Sequence, residues 1–394
     1  MMKNDKQMIP EIRFPGFTDP WEQRKVSEIA DRYDNLRVPV AASERVPGST
    51  PYYGANGIQD YVDGYTHDGE FVLIAEDGAN DLKNYPVQYA TGKIWVNNHA
   101  HVLQGKEKIT DNKFLGYSIN ATNIESLLVG GGRAKLNAEV MMGIELLMPS
   151  YPEQCKISEL MFSLDNLITL HQRKCDGLRD YKNGLLQQMF PMPGESTPRI
   201  RFPGFTDPWE QRKCEEIFDK VGNPVEVIEK EVYREIGIRS HGKGIFHKDE
   251  VTGKELGNKR VFWVEPNCFV VNIVFAWERA VAKTTDNENG MIASHRFPMY
   301  RPKVGIVDLD YITRFFTTNT GKAILEMASP GGAGRNKTLG QKEFANSKIW
   351  LPSYEEQRKI GRLIDEIDNA ITLHQRKCDE LKTYKKGLLQ KIFV

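Results

Sequence analysis

Apolar residues recur three and four positions apart in two long stretches of the chain. The first stretch covers 149–190, and its apolar series is Ile157, Leu160, Leu164, Leu167, His171, Leu178, Tyr181 and Leu185. The second covers 352–393, with the series Ile360, Leu363, Ile367, Ala370, His374, Leu381, Tyr384 and Leu388. This spacing predicts two long helices, and its persistence over about four heptads is typical of a coiled-coil pair.

The two stretches are copies of each other. The run Ile-Thr-Leu-His-Gln-Arg-Lys-Cys-Asp occupies 168–176 and again 371–379, and each copy begins with a Ser-x-x-Glu capping box. Because both copies belong to one chain, we expect them to pair as a rod on the order of 50 Å long; plain core packing is the alternative. Gly184 and Gly387 would each cost roughly 1 kcal/mol inside a helix, so we expect a close approach of the helices, or the end of the rod, at these positions.

A second repeat precedes each helix. The sequence Ile-Arg-Phe-Pro-Gly-Phe-Thr-Asp-Pro-Trp-Glu-Gln-Arg-Lys fills 12–25 and recurs unchanged at 200–213. Between each copy of this repeat, the landmark, and the following helix lies a module that differs between the two halves of the chain. Both modules contain strand-like runs, with Asn-Gly or Asp-Gly turns. We therefore predict a mixed α/β (α+β) chain with these segments: a first domain at 1–148, a first helix at 149–190, a hinge at 191–199, a second domain at 200–351 and a second helix at 352–394.

Composition narrows the class of protein. The chain has 394 residues, 40% hydrophobic and 27% charged, which suits two or more globular domains. Its 53 basic and 53 acidic residues give zero net charge, which counts mildly against DNA contact over the whole surface. No apolar run approaches the ~20 residues of a membrane span, and residues 1–10 are polar, without the apolar segment of a signal peptide, so we expect none. The five cysteines include no C-x-x-C pair, so we expect free thiols and a cytoplasmic location.

Catalytic signatures are missing. Residues 331–338 nearly spell a phosphate-binding loop, but Asn336 stands where that motif needs glycine. The active-site quartet of amino-methyltransferases is absent, and so are the hydrolase and zinc-protease motifs. His99 and His101 can share a strand face, yet the sequence identifies no third metal ligand. We therefore predict a non-catalytic chain with no metal site.

The repeated landmarks resemble those of the specificity subunit of type I restriction–modification systems. The resemblance is carried by Phe-Pro-Gly-Phe and Trp-Glu-Gln-Arg-Lys in both halves, by Leu-Pro-Ser-Tyr-Glu-Glu-Gln-Arg-Lys-Ile at 351–360 and by Tyr-Lys-Lys-Gly-Leu-Leu-Gln-Lys at 384–391. It covers essentially the whole chain, in order. It implies two target-recognition domains in a pseudo-twofold arrangement, separated by an antiparallel pair of long conserved helices.

The resemblance also implies a function and partners. Such a subunit reads a bipartite site on double-stranded DNA, one half-site per recognition domain, with the helical pair setting the unread spacer. It carries two modification subunits, which bind S-adenosylmethionine, and the full complex adds two restriction subunits, which use ATP and Mg. No cofactor is expected in this chain itself. A stand-alone DNA-binding regulator is the alternative; it would bind its operator without methylation partners, and a stand-alone enzyme would show turnover.

Candidate DNA contacts rest on side-chain chemistry alone, because the family offers no short motif for base-reading residues. Arg, Lys, Asn and Gln in loops can bond base edges, and Ser, Lys and backbone amides can hold phosphates. The two glycine-rich loops, at 130–136 and 331–339, are either phosphate contacts or simply tight turns. The predicted DNA-binding residues are Tyr53, Asn56, Asn80, Lys83, Asn98, His99, Arg133 and Lys135 in the first module, and Arg239, His241, Lys243, Arg279, His295, Arg296, Arg335, Asn336 and Lys337 in the second.

Overall fold

The protein, described by a computed structural model at residues 9–130, 134–331 and 337–393, consists of two compact units. The first contains the chain up to Gln172 together with everything from Gln375 onward, and the second runs from Arg173 to His374. Both boundaries fall inside the long helices. Each unit is therefore built from its own module, the start of one long helix and the end of the other.

The first unit is organised around a six-stranded sheet with the order β2-β7-β5-β6-β3-β4, in which only β3 and β6 pair in parallel. A separate pair, β1 and β8, joins the landmark to the segment before the long helix. Its strands are β1 (Glu22–Lys25), β2 (Ala30–Arg32), β3 (Pro47–Gly54), β4 (Gly57–Val62), β5 (His67–Ala75), β6 (Val87–Val96), β7 (Ala100–Gly105) and β8 (Glu145–Met148). Its helices are α1 (Val26–Ile29), α2 (Asn112–Ala121), α3 (Ala138–Met142) and the long α4 (Tyr151–Gln188), with 3-10 turns at Asp34–Leu36, Ala42–Glu44 and Ile124–Leu127.

The second unit has a different sheet arrangement, a four-stranded sheet in the order β10-β18-β15-β16 and a five-stranded sheet in the order β11-β14-β17-β12-β13. The landmark strand β9 again pairs with the strand before the long helix, β19. The strands are β9 (Glu210–Lys213), β10 (Phe218–Val221), β11 (Asn223–Pro224), β12 (Val232–Ile238), β13 (Ile245–Thr252), β14 (Val261–Trp263), β15 (Phe269–Val271), β16 (Val281–Lys283), β17 (Ile292–Ser294), β18 (Met299–Pro302) and β19 (Lys348–Leu351). The helices are α5 (Cys214–Ile217), α6 (Gly253–Leu256), α7 (Leu309–Phe315), α8 (Asn319–Met327), α9 (Gln341–Asn346) and the long α10 (Tyr354–Ile392), with 3-10 turns at Ala276–Glu278 and Asp286–Glu288.

The core of each unit is completed by the last residues of the other copy's helix. In the first unit, Trp21 of the landmark packs edge-on against Phe114 of α2 and against Phe393, and Leu388 and Ile392 of α10 join the same cluster. In the second unit the landmark's Trp209 packs edge-on against Tyr311, whose ring stacks on Phe190, just past the end of α4. The similar helix ends thus fill equivalent positions in cores built by different modules.

Within each unit the two long helices run antiparallel and make the same contacts with their roles exchanged. In the first unit, Lys385 Nζ lies 2.5 Å from Asp165 Oδ1. In the second, the equivalent lysine of the first copy, Lys182, lies 2.5 Å from Asp368. The predicted antiparallel pair of long helices, in a mixed α/β chain, is therefore confirmed.

The predicted seam is wrong in its details. Leu167, Tyr181 and Tyr384 are exposed, whereas Cys175 and Cys378 are fully buried between the helices. Their thiols face backbone carbonyls of the opposite helix, as at Cys175 Sγ to the oxygen of Ile371 (3.6 Å). The small cysteine side chain allows this approach of the two backbones, a role that apolar periodicity alone does not reveal.

Neither predicted explanation of Gly184 and Gly387 is correct. The helices continue past both residues, to Gln188 and Ile392. A Cβ built on either glycine would meet no heavy atom within 4 Å among the described residues, apart from its own chain neighbours and helix backbone. In the described part of the chain, neither long helix nor any other is apolar enough over sufficient length to cross a bilayer.

Candidate nucleic-acid interface

The landmark arginines fix each long helix to its module. Arg13 donates to both carboxylate oxygens of Glu153, at 2.9 and 2.7 Å, and Arg201 does the same to Glu356 at the same distances. The two glutamates are buried, and the hydrogen bond raises the pKa of each arginine. Ser353 Oγ accepts from the Glu356 N–H at 3.3 Å, as a capping box requires. The glutamate carboxylate, however, serves the landmark arginine, a contact that sequence reasoning missed although both residues recur in the repeat.

In the first unit, the segment that follows β5, residues 76–80, gathers several of the predicted DNA-binding side chains. Asn56 Nδ2 donates to the Gly78 carbonyl at 2.9 Å, and the Asn80 N–H donates to Asn56 Oδ1 at 2.9 Å. These two bonds fasten the tip of the β3–β4 hairpin to the segment. The Asn56 side chain therefore stabilises the turn, while it remains exposed at the surface.

His99 belongs to the same cluster. Its Nδ1 lies 2.5 Å from Asp77 Oδ1, and its N–H donates to the Asn97 side chain at 2.8 Å. Asn98, between them, is exposed in the middle of the turn joining β6 and β7. The structure thus brings Asn56, Asn80 and His99 together around the segment 76–80.

The remaining candidates of this module differ in accessibility. Tyr53 is buried on β3, and burial raises the pKa of its hydroxyl, with a further contribution from Tyr61. Lys83 is exposed, and its N–H donates to Asp81 Oδ1 at 2.9 Å. Arg133 lies outside the described residues. Of these three candidates, Lys83 alone offers a described and exposed side chain.

Lys135 is part of a charged network beneath the cluster. Its Nζ lies 2.7 Å from Glu76 Oε1, while Arg37 Nη1 lies 2.7 Å from the other oxygen of the same carboxylate. His101 Nδ1 lies 2.7 Å from Asp34 Oδ2. Burial alone would raise the pKa of Asp34 and of Glu76. Asp34 accepts hydrogen bonds from the His101 imidazole and a backbone N–H, and Glu76 accepts them from Lys135 and Arg37. These hydrogen bonds outweigh the effect of burial, so the pKa values of both carboxyl groups are lowered.

Three side chains of this network are spaced like metal ligands, but their ligand atoms already have other partners. One ligand atom each from Asp34, Glu76 and His101 lie within 4.8 Å of one another. Arg37 and Lys135 already supply positive charge to these carboxylates, and the second imidazole nitrogen lies 2.9 Å from the Leu136 oxygen. The arrangement therefore suits an internal ion network that ties Lys135 to Glu76 and the Leu136 carbonyl to His101.

In the second unit, Arg239, His241 and Lys243 are exposed together in the turn between β12 and β13. His241 has a left-handed backbone (φ 62°), and its N–H donates to the Glu278 oxygen at 2.8 Å. The next N–H in the turn donates to the Arg279 oxygen at 2.9 Å. Arg279 is also left-handed (φ 59°), and its Nη1 donates to the Thr317 oxygen at 3.0 Å. These four predicted residues therefore lie side by side.

The other candidates of the second unit follow β17. His295 and Arg296 are exposed, and the Arg296 oxygen accepts from the Ile273 N–H at 3.0 Å. Lys337 is half-buried, whereas Arg335 and Asn336 lie outside the described residues. Sequence reasoning passed over Arg260, which is exposed directly before β14 and neighbours His295. An arginine two positions before an aromatic residue in a short strand was the available signal.

Comparison with known proteins agrees with this architecture. The family pattern described as "Type I restriction modification DNA specificity domain" matches residues 18–179 and again 206–383. A protein of Haemophilus influenzae named as a type I restriction enzyme specificity subunit is 44% identical over 166 residues, 42% of this chain and 42% of that protein. The type I restriction enzyme MjaVIII specificity subunit of Methanocaldococcus jannaschii is 19% identical over 412 residues, covering 94% of this chain and 91% of its own length.

A solved structure shares the fold over nearly the full length. The S subunit of a type I restriction–modification system from M. genitalium superposes with a TM-score of 0.67 at 13% identity, covering 98% of this chain and 99% of that one. The two pattern matches each span one landmark strand, one module and most of one long helix. The chain therefore belongs to the family of type I restriction–modification DNA specificity proteins.

Proposed function

We propose that this chain selects the DNA sequence on which a type I restriction–modification complex acts, each module reading one half of a bipartite site. Specificity subunits are non-catalytic components of such complexes, so the prediction that this chain is not itself an enzyme is confirmed by its relatives. The predicted domain boundaries and the individual DNA-binding residues remain predictions. We place the protein in the cytoplasm, where chromosomal and incoming DNA are accessible.

The proposal rests on one observation: the landmarks and long helices are repeated, whereas the modules between them differ. The landmarks are identical in 12–25 and 200–213, and they make the same arginine–glutamate and tryptophan contacts in both units. The modules they hold have a six-stranded sheet in one case, and four- and five-stranded sheets in the other. Two different modules held by the same repeated landmarks and helices suit the reading of two different half-sites. The helical pair would set the unread spacer between these half-sites.

The outer faces of the long helices support two identical partners. Leu170 and Tyr384 are exposed in the first unit, and Leu373 and Tyr181, the equivalent residues of the other copies, are exposed in the second. Pairing of the helices does not require identity at exposed positions, whereas binding the same partner twice does. We propose that two modification subunits, which use S-adenosylmethionine, dock here, and that two restriction subunits, which use ATP and Mg, join the full complex.

The docking proposal is tested by one leucine per copy. The variants Leu170→Glu and Leu373→Glu should each bind a single modification subunit, and the double variant none, because a buried unpaired carboxylate opposes an apolar contact. Native mass spectrometry of the co-purified complex gives the stoichiometry. Glu159→Lys, another change of charge at an exposed position of α4, is the control. Two subunits on the double variant would refute the docking surface.

The reading function is tested by methylome sequencing of cells that express this chain with its modification partner. A bipartite motif with a fixed unread spacer is expected. Exchange of 26–148 for another module should change one half-site and leave the other, and one added heptad in both helices should lengthen the spacer. A stand-alone regulator, the alternative function, would bind one operator tightly without any partner and leave no methylation motif.

A further inference from the structure

In the second unit, Arg260 and His295 lie directly opposite each other on neighbouring segments. β14 pairs with β17 so that Val261 is opposite Ser294, and the ladder extends by one pair because the His295 N–H donates to the Arg260 oxygen at 3.0 Å. Side chains opposite each other in such a ladder have Cβ atoms about 4.5–5.5 Å apart. The Arg260 guanidinium and the His295 imidazole are therefore close enough for one ligand group to contact both.

A third basic side chain faces the same place. Lys220 of β10 lines, together with Arg260 and His295, a cavity of about 210 Å³. The Lys220 Nζ lies 2.5 Å from Gln341 Oε1, a neutral group that leaves its charge uncompensated. Within the described ranges, no carboxylate lines this cavity and none pairs with Arg260. Positive charge gathered without a protein counter-charge indicates a site for an anionic group.

Aromatic rings complete the walls of the cavity. Phe262 of β14 is two residues from Arg260, which extends the same ladder, so both side chains lie on the same face of the sheet. Phe297 lines the cavity from the segment that carries His295. Both rings are half-buried, which leaves part of each surface accessible. Cations beside aromatic faces are the combination with which proteins hold the phosphates and unstacked bases of nucleic acids.

The size of the cavity limits its occupant. Sites for whole cofactors or drug-sized molecules usually measure about 300–1,000 Å³, more than the 210 Å³ available here. A small part of a larger ligand, such as one nucleotide of a strand that otherwise lies outside the cavity, fits better. We propose that this cavity binds one nucleotide turned out of the target duplex, its phosphate at Arg260, Lys220 and His295 and its base against Phe262 and Phe297; this inference rests on the proposed function.

Salt dependence distinguishes the proposed phosphate contact from the proposed base contact. A fluorescein-labelled duplex containing the target site is titrated with the complex of this chain and its modification subunits, between 50 and about 200 mM salt. Arg260→Gln should weaken binding and reduce the slope of log K against log salt by about one, the loss of one phosphate contact. Phe262→Leu should weaken binding roughly 5- to 150-fold with an unchanged slope, since base stacking carries no ionic term.

Controls and outcomes decide the inference. Lys254→Gln changes an exposed lysine of the same unit that does not line the cavity, and should alter neither quantity. Thermal melting excludes unfolding, and His295→Gln provides a second substitution with little effect on packing. An unchanged slope in Arg260→Gln together with wild-type affinity in Phe262→Leu would overturn this site. Failure of the wild-type complex to bind its duplex would instead overturn the proposed function.

Discussion

Replacing Arg13 with alanine would leave the Glu153 carboxylate buried without its guanidinium partner. The glutamate side chain is 1% exposed and the arginine side chain 11%, with both carboxylate oxygens bonded, one of them at 2.7 Å. Removing one member of a buried pair typically costs about 3–5 kcal/mol, because the remaining charge stays desolvated without a compensating interaction. We therefore expect Arg13→Ala to lower the free energy of unfolding of the first unit by about 3–5 kcal/mol.

The double replacement makes this expectation specific. Arg13→Met combined with Glu153→Leu removes both charges, and such apolar substitutions of buried pairs are often neutral or stabilising by roughly 1–4 kcal/mol. Urea unfolding of the single and double variants gives the coupling energy by a double-mutant cycle. Hydrogen exchange then assigns each loss to the first or the second unit.

Two matched controls come from the same repeat. Arg201→Ala should have the same effect in the second unit, where the Glu356 side chain is 0% exposed and the arginine 18%. Arg24→Ala disrupts an exposed pair with Glu22, 2.7 Å long, and should have little effect on stability, because water screens exposed ion pairs. If Arg13→Ala costs no more than Arg24→Ala, the buried pair does not anchor the landmark and the reasoning is refuted.

Three further expectations follow from particular residues. Gly184→Ala and Gly387→Ala should each raise the free energy of unfolding by about 0.5–1 kcal/mol, because a Cβ meets open space there; thermal melting of the free chain measures this, and a lowered melting temperature would contradict it. Phe190→Ala should cost about 3–5 kcal/mol in urea unfolding and act on the second unit, since the ring is buried there against Tyr311; protection lost in the first unit instead would contradict the crossed arrangement. Folding lowers the pKa values of Asp34 and Glu76 below their ordinary 3.8 and 4.5, so their contribution to stability is present above those values and lost as the pH falls through the folded-state values. Urea unfolding between pH 3 and about pH 6 should show this loss, and Glu76→Gln should flatten it; an equally steep profile in the variant would be inconsistent with the network.

The sequence was most informative where it repeats itself. Identical runs predicted two helices that pair, and the pairing of Lys182 and Lys385 with aspartates on the opposite helix follows that repeat. Periodicity did not decide between Leu167 and Ile168 as the seam residue, because both continue a three-and-four spacing from Leu164. Nor does local spacing reveal that the end of each long helix packs into the other half's core, because this depends on contacts such as Phe190 with Tyr311 and Trp21 with Phe393, 121 and 372 residues apart in the chain.

The candidate interface was less predictable for the same reason. His99 and Lys135 were selected as free polar groups, yet each has an acidic partner, Asp77 and Glu76, that lies 22 or 59 residues away in the sequence. Such ion pairs are determined by the sheet order, which the sequence alone did not provide. Groupings by turn, such as Arg239 with His241, were predictable because the contacts are local.

The end of α10 also determines when the core of the first unit can be completed during synthesis. Leu388, Ile392 and Phe393 belong to the core of the first unit, which otherwise ends at Gln172. During synthesis at about 5–20 residues per second, the first module emerges long before these residues exist. Bringing them back closes a loop of about 200 residues, a slow type of contact. The core of the first unit therefore stays incomplete until residues 388–393 have been synthesised, and its apolar surface remains accessible to chaperones until then.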